Sequence, residues 1–445
     1  MRNRAAFLEN LARMHNQVAI LLLAALLTSC GKSVRQPVTL TYPHGWFSEP
    51  DELKKTAALS QQFTAETGIR IRDIPTPQST LDSLDLSVKL LQMGSSGADM
   101  LHVDIIWSAV LEPDLIDLEP SIAAEFSSVE PQLLRSYTVK GKVVAIPYQV
   151  NVGALEYRSD LLRKYGYQHP PKTWSELESM AERIQAGERA KGKKDFWGYV
   201  WQGGAAEGLT CNALEWQAAE GGGRIIESDR TISVNNPGAI RAWQRAKNWI
   251  GRISPPGVVA YREGDSMNVF DSGGAAFNRV WLGRTIARSM RTLHAYWRPL
   301  PPVVQTGFTA IPGGSGGSGA TLGGFGLAVS LHSAHRDDAV KYVSFLTRAK
   351  IQSGEEGKSS NNQPGAASVL GAYDQFEESI QQGSPVLDRP SVETGSRYKQ
   401  VSEAYISAVH SVLTSERGAS EAAAYLEKHL VQITGFPTGA PKTGK

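Results

Sequence analysis

Apolar positions along this chain switch repeatedly between a period near two and a period near 3.6, and each switch marks an element. Pro37–Tyr42 alternates and reads as a strand, while Pro43–Glu49 is too rich in Pro and Gly to continue it and reads as a loop. Leu53, Ala57 and Phe63 give Asp51–Thr67 a helical face, Gly68 stops it, and Ile69–Ile71 resumes alternation. Leu81, Leu84, Val88 and Leu91 recur at helical spacing before Gly94, and Met100–Trp107 is an apolar run of strand length. Thr173 and Glu176 form a capping box for a helix through Leu177, Met180 and Ile184. Asn236–Pro237 opens another, with Ile240, Trp243 and Ile250 inward and Gly251 closing it. Phe325–Ser330 reads as a strand, and Ala334–Leu346, Ala404–Leu413 and Ala422–Leu430 as amphipathic helices. Such alternation predicts an α/β architecture, with sheets covered by helices and ligands bound beyond strand carboxyl ends.

The N-terminal pattern is of another kind. Arg2, Arg4 and Arg13 precede the apolar run Val18–Leu27, which stops at Thr28, Ser29 and Cys30. It is shorter than the roughly 20 residues a membrane-spanning helix needs, so it predicts a signal peptide over residues 1–30. Small residues before Cys30, with Leu27 three places upstream, fit a lipobox and predict lipidation at Cys30; Met14 is an alternative start. Cys211 is then the remaining thiol, which leaves no intramolecular disulfide.

Length and charge narrow the picture further. A chain of 445 residues exceeds what one core supports, which predicts two lobes. Lys and Arg total 46 against 44 Asp and Glu, without long like-charge blocks, so nothing predicts a nucleic-acid partner. Beyond the signal no apolar run approaches spanning length, and the lipid alone is expected to hold the protein at a membrane. The run Gly313–Gly319 reads as a surface loop within one lobe, because a packed strand pattern resumes directly after it.

Enzyme signatures are weak. Gly313–Gly317 matches the G-x-S-x-G pattern around Ser315, but a nucleophile elbow needs a strand before and a helix after, and here a strand follows. There is no phosphate-binding loop and no paired zinc motif. His332 and His335 lack further ligands, and the acidic pairs Asp337–Asp338 and Glu355–Glu356 read as solvated charges. More informative are the aromatics beside predicted strand ends: Trp46, Trp107, Trp201, Trp281 and Phe325. Flat rings against the C–H face of a pyranose, with planar polar groups around its edge, are what sugar recognition requires. Taken with Glu49, Asp104, Asn151 and Arg389, they predict a cleft.

The motifs Ala98–Trp107, Ala145–Gly153 with Tyr157–Leu162, Phe196–Gly204 with Glu207–Trp216, Gly323–Ser330, and Arg389–Pro390 with Tyr398 and Ser402 resemble family 1 of the extracellular solute-binding proteins of ATP-driven sugar importers, most closely the trehalose/maltose-binding branch. The resemblance implies a two-lobed periplasmic-binding-protein fold of type II, each lobe a mixed sheet flanked by helices, with the ligand cleft between them. It implies one lobe from residues 37–147 and 316–350 and the other from 148–315 and 351–445. Carried over by position, it implies ligand contacts from Trp46, Glu49, Asp104, Gln149, Asn151, Glu207, Trp281, Gly324, Phe325 and Arg389, with Trp281 as stacking platform. Phe325 and Asn151 depart from it, standing where many relatives carry tryptophan and an acid. A monomer without cofactor is implied, exported and lipid-anchored, that binds an oligosaccharide such as trehalose or maltose and delivers it to permease subunits. Two readings remain beside this one. The same fold could hold a polyamine, a phosphorylated sugar or a peptide, or the chain could be a secreted glycoside-acting enzyme, which would release products where a binding protein returns its ligand unchanged.

Overall fold

The computed structural model describes residues 37–44, 50–77, 80–126, 131–281, 305–359 and 386–442. The expectations for the signal peptide, for Cys30 and for Trp46 and Glu49 lie outside them. Strands β1 (Thr39–His44) and β2 (Arg70–Pro75) pair in parallel around helix α1 (Pro50–Thr67), and α2 (Thr80–Gln92) leads to β3 (Met100–Asp104). A short hairpin, β4 (Thr138–Val139) and β5 (Lys142–Val143), precedes the long β6 (Ile146–Arg158). Helix α3 (Trp174–Ala190), β7 (Trp197–Val200), helices α4 (Glu207–Ala219) and α5 (Pro237–Trp249), and β8 (Ala275–Trp281) follow. The chain continues with β9 (Thr306–Thr309), β10 (Ala320–Val329), α6 (Arg336–Ser359), β11 (Val386–Leu387), α7 (Tyr398–Leu413) and α8 (Ala419–Thr434), with shorter helical turns between.

The main sheet has the order β11-β10-β6-β8-β7, with β3 beside β10 and β9 beside β6. It is mixed: β7–β8 and β10–β11 are parallel, whereas β6 runs antiparallel to β8, β9 and β10. The early half of β6 pairs with β10, from Ile146 to Val152, and its later half with β8, from Gly153 to Tyr157. The apolar core divides close by, between Ala154 and Leu155. Val152 and Ala154 pack with Leu101, Val103, Leu322 and Phe325, whereas Leu155 packs with Trp174, Trp216, Trp243 and Leu426. A further apolar cluster, around Leu40, Phe63, Tyr342 and Leu346, lies on the β1 side. One uninterrupted strand therefore carries the chain from one packed body into the other.

Several boundaries differ from the sequence reading, each for a local reason. β1 runs on through Pro43 to His44, because among the described residues its one strand partner is β2 and an edge position tolerates a residue without an N–H. The apolar run from Met100 stops being strand at Asp104, whose Oδ1 accepts the Ile106 N–H at 3.1 Å while its carbonyl accepts the Trp107 N–H at 2.8 Å. That side-chain turn outcompetes the ladder. β10 begins at Ala320, five residues before the expected start, because Gly323 and Gly324 are part of the ladder with β6. Helix α6 extends to Ser359. The glycine run is a packed loop: the Gly313 N–H donates to Lys172 O and the Gly316 N–H to Ala219 O, which caps the end of α4.

The caps read from sequence are present. Thr173 Oγ1 accepts the Glu176 N–H at 3.2 Å, although Glu176 reaches back to the Lys172 N–H rather than to that of Thr173. Asn236 Oδ1 accepts from the Gly238 and Ala239 N–H groups at 2.9 and 3.0 Å, and its amide donates to Gly222 and Ser233 carbonyls. Replacing Asn236 with Ala should therefore cost about 1–2 kcal/mol of stability, read as a lower urea midpoint with unchanged slope; an unchanged midpoint would show that the cap is not limiting.

Candidate functional site

Strand register brings the predicted residues together. Asn151 of β6 lies opposite Gly323 of β10, Asp104 at the end of β3 opposite Phe325, and Trp281 at the end of β8 opposite Gly153. The first turn of α4 supplies Glu207, and the segment after β11 supplies Arg389. Seven of the residues expected from sequence, Asp104, Asn151, Glu207, Trp281, Gly324, Phe325 and Arg389, line one cavity of about 50 Å³. Thr80, Gly208, Cys211, Glu263 and Gly323 complete its wall. Gln149 pairs with Phe325 in the ladder but does not reach the lining. Trp107 and Trp201, grouped with the platform aromatics on sequence grounds, are core residues instead: both are fully buried. Trp201 meets Trp216 edge-on at 4.9 Å between centroids, and its indole N–H donates to Ser254.

Arg389 is the charged centre. It is 6% exposed; Nη1 donates to Glu207 Oε1 at 2.9 Å and Nη2 to the Leu322 carbonyl at 3.2 Å, and Asp104 Oδ1 stands 3.8 Å from Nη2. Its Nε–H has no hydrogen-bond partner among the described residues. Glu207 also accepts from the Tyr398 hydroxyl on Oε1 and from Ser402 Oγ on Oε2, both at 2.5 Å. A carboxylate has about four lone-pair sites, so three side-chain donors nearly saturate this one. Glu207 is thereby a holder of Arg389, with little capacity left for a ligand.

The other polar groups are less satisfied. Asn151 Oδ1 is buried and without a hydrogen-bond partner among the described residues. Burial pushes the Asp104 carboxyl up to about 6, against the opposing pull of Arg389 and the Ile106 N–H. Cys211, one turn beyond Glu207, is buried, and desolvation pushes its thiol up to about 12, so it offers a neutral wall. Unpaired buried donors and acceptors are rare in folded proteins, so these atoms set the cavity wall apart from the surrounding core. The apolar side comes from Phe325, whose ring lies 4.6 Å from that of His102, and from Trp281. A Cβ on Gly323 would stand 2.9 Å from the Trp281 ring, so glycine lets the indole lie against β10. Cys211 was legible in principle from its i+4 spacing to Glu207; Thr80 and Glu263 carry no comparable signal.

Among the described residues no group of three or more His, Cys, Asp or Glu is placed to hold a metal ion, and no helix is long and apolar enough to cross a membrane.

The profile of the family described as bacterial extracellular solute-binding protein matches residues 48–353. A probable ABC transporter-binding protein of Deinococcus radiodurans is 38% identical over 392 residues, 86% of this chain and 91% of its own length. Among solved structures, maltose-bound MalE3 of T. maritima superposes with a TM-score of 0.74 at 29% identity, covering 89% of this chain and 100% of that one. A solute-binding protein of Thermotoga lettingae bound with α-D-tagatose reaches 0.71 at 21% identity, covering 89% and 100%, and is similar in fold. These neighbours share the two-lobed architecture of the present chain.

The raised Asp104 carboxyl has a definite consequence. Its folded value, about 6, exceeds the ordinary 3.8, so between those pH values the folded state holds more protons than the unfolded chain. Stability from this group is present at acid pH and is lost as pH rises through that window. Relative to wild type, Asp104→Asn should gain about 2 kcal/mol between pH 4 and pH 7 in denaturant titrations. A difference that stays flat with pH would mean that Asp104 titrates normally.

Proposed function

Because this chain belongs to the bacterial extracellular solute-binding protein family, we propose that it captures a glucose-containing disaccharide, such as maltose or trehalose, and hands it to the membrane subunits of an ATP-driven importer. The chain is a binding protein of ABC transport and not an enzyme. The observation that carries the sugar reading is the cavity itself. Asn151 Oδ1 and Arg389 Nε–H, an acceptor and a donor without hydrogen-bond partners among the described residues, lie beside Asp104 on a wall shared with the Trp281 and Phe325 rings. Vicinal hydroxyls both donate and accept, and the C–H face of a pyranose covers an aromatic ring. A guanidinium presents its N–H groups in a rigid fork, which suits adjacent oxygens. The likeness to a maltose-bound structure at 29% identity supports the same class of ligand.

A volume of about 50 Å³ is far below the roughly 300–1,000 Å³ of pockets that enclose drug-sized ligands. The walls must separate to admit a sugar, and lobe motion about the crossing strands supplies this. Ligand bound to one wall gains contacts from the other on closure, so it shifts the population toward the closed state by its differential affinity. The lobes are 37–147 with 316–350, and 148–315 with 351–445, the switch falling within β6; separate apolar cores on the two sides of β6 support two lobes, while Val152, Ala154, Val280, Val386 and Tyr398 pack with the first core. Cys30 carries the lipid, Trp46 and Glu49 join the ligand contacts, and the protein acts as a monomer.

Thermal denaturation of the mature protein with a panel of solutes tests this reading. Millimolar maltose or trehalose should raise the melting temperature, since a ligand of the native state stabilises by mass action. Trp281→Ala should weaken binding by roughly 30-fold or more, about 2 kcal/mol, with little change in the unliganded melting temperature. A polyol, polyamine or peptide that stabilises the protein where disaccharides do not would replace the sugar assignment.

A further inference from the structure

Helix α4 turns one face toward the crossing strands, with Glu207, Cys211 and Glu215 at successive i+4 positions, all buried. Its first carboxylate holds Arg389. Its third holds a second buried arginine, Arg279 of β8, which does not line the ligand cavity. Arg279 Nη2 donates to Glu215 Oε1 at 2.7 Å and Nε to Oε2 at 3.2 Å, a two-point clasp. Thr321, at the start of β10, closes the cluster: its hydroxyl donates to Glu215 Oε1 at 2.6 Å and accepts from Arg279 Nη2 at 2.9 Å, and its N–H donates to the same oxygen at 3.1 Å. Glu215 reaches the cluster over Gly153, where a Cβ would stand 2.0 Å from Oε1; Gly153 is the ladder partner of Trp281.

Taking such a pair out of water costs more than well-packed apolar side chains of similar volume would, so stability alone is a poor reason for it. What the charge does contact is the platform: the Arg279 guanidinium lies 4.1 Å from the centre of the Trp281 ring. We propose that the Glu215–Arg279–Thr321 cluster is a positioning device for Trp281, in which a clamped guanidinium fixes the ring's tilt against β10 and so sets affinity for the sugar. Arg279 and Trp281 stand two apart on one strand face, and Gly323 limits the ring from β10. The ring's orientation is then decided by a plane whose own orientation Glu215 and Thr321 decide. Lys in place of Arg279 would keep the charge but not the plane or the two-point clasp. The proposal rests on Trp281 being a sugar contact.

A double-mutant cycle with an independent spectral readout tests it. In otherwise wild-type protein Arg279→Met should weaken maltose binding about tenfold, and Arg279→Lys nearly as much; in the Trp281→Ala background the same changes should cost less than about twofold. Thr321→Val, which removes one hydroxyl at constant volume, should weaken binding about threefold and provides a milder variant if the Arg279 changes do not fold. In protein labelled with 5-fluorotryptophan, the Trp281 resonance, assigned by its loss in Trp281→Phe, should shift and broaden in Thr321→Val without any ligand. Equal losses in both backgrounds, or an unmoved Trp281 resonance, would overturn the proposal. Wild-type protein that binds no sugar would instead sink the sugar reading, while the fluorine spectrum would still decide whether the cluster holds the ring.

Discussion

A guanidinium removed from water has to be met by carboxylates and carbonyls, and this requirement shapes the middle of the molecule. Arg389 and Arg279 are both buried where β6, β8 and β10 converge, and both are answered from one helix, by Glu207 and Glu215. Truncating one partner of such a pair leaves an uncompensated buried charge, which typically costs 3–5 kcal/mol; the elements that carry the pairs are therefore tied to one another. β6 runs unbroken between two apolar cores, and the two ion pairs lie beside its crossing point.

Satisfaction within the cavity is uneven. Glu207 accepts three side-chain donors, and two of the three Arg389 nitrogens are engaged. Among the described residues Arg389 Nε and Asn151 Oδ1 are left over, and Asp104 sits in an environment that resists its ionisation. Residues that hold and residues that offer are thus separable by counting hydrogen bonds, which residue type alone could not achieve. Because the offered set includes a donor, an acceptor and a carboxyl of raised pKa, a ligand with several hydroxyls matches it better than a single fixed charge. A phosphorylated solute would bring anionic oxygens toward Asp104 and Glu263, both on the same wall.

Much of this was legible in the chain because local signals coincide with global ones. Asn236 caps the helix its neighbour Pro237 begins, Thr173 caps another, and seven of the ten residues expected at the cleft line one cavity. Where the reading failed, long-range pairing had overridden local pattern. Pro43 is strand because β2 lies beside it, Gly323 and Gly324 are strand because they pair with β6, and a Cβ on Gly323 would crowd the Trp281 ring. Trp107 and Trp201 flank strand ends as Trp281 does, but their rings are enclosed by neighbours distant in sequence, such as Ser254 for Trp201. The Glu215–Arg279–Thr321 cluster joins residues 64 and 106 positions apart in sequence, and no periodicity announces it. Glu207 was found as a site residue on family resemblance; its work as a clasp for Arg389 emerged from the three donors that surround it.

The most direct measurement is the crystal structure of the mature protein grown with maltose. The account predicts a sugar between the two lobes, with hydroxyl oxygens within about 3.2 Å of Asn151 Oδ1 and Arg389 Nε and one pyranose face against the Trp281 ring. A sugar bound elsewhere, or seated in the cleft with both atoms still unmet, would contradict it.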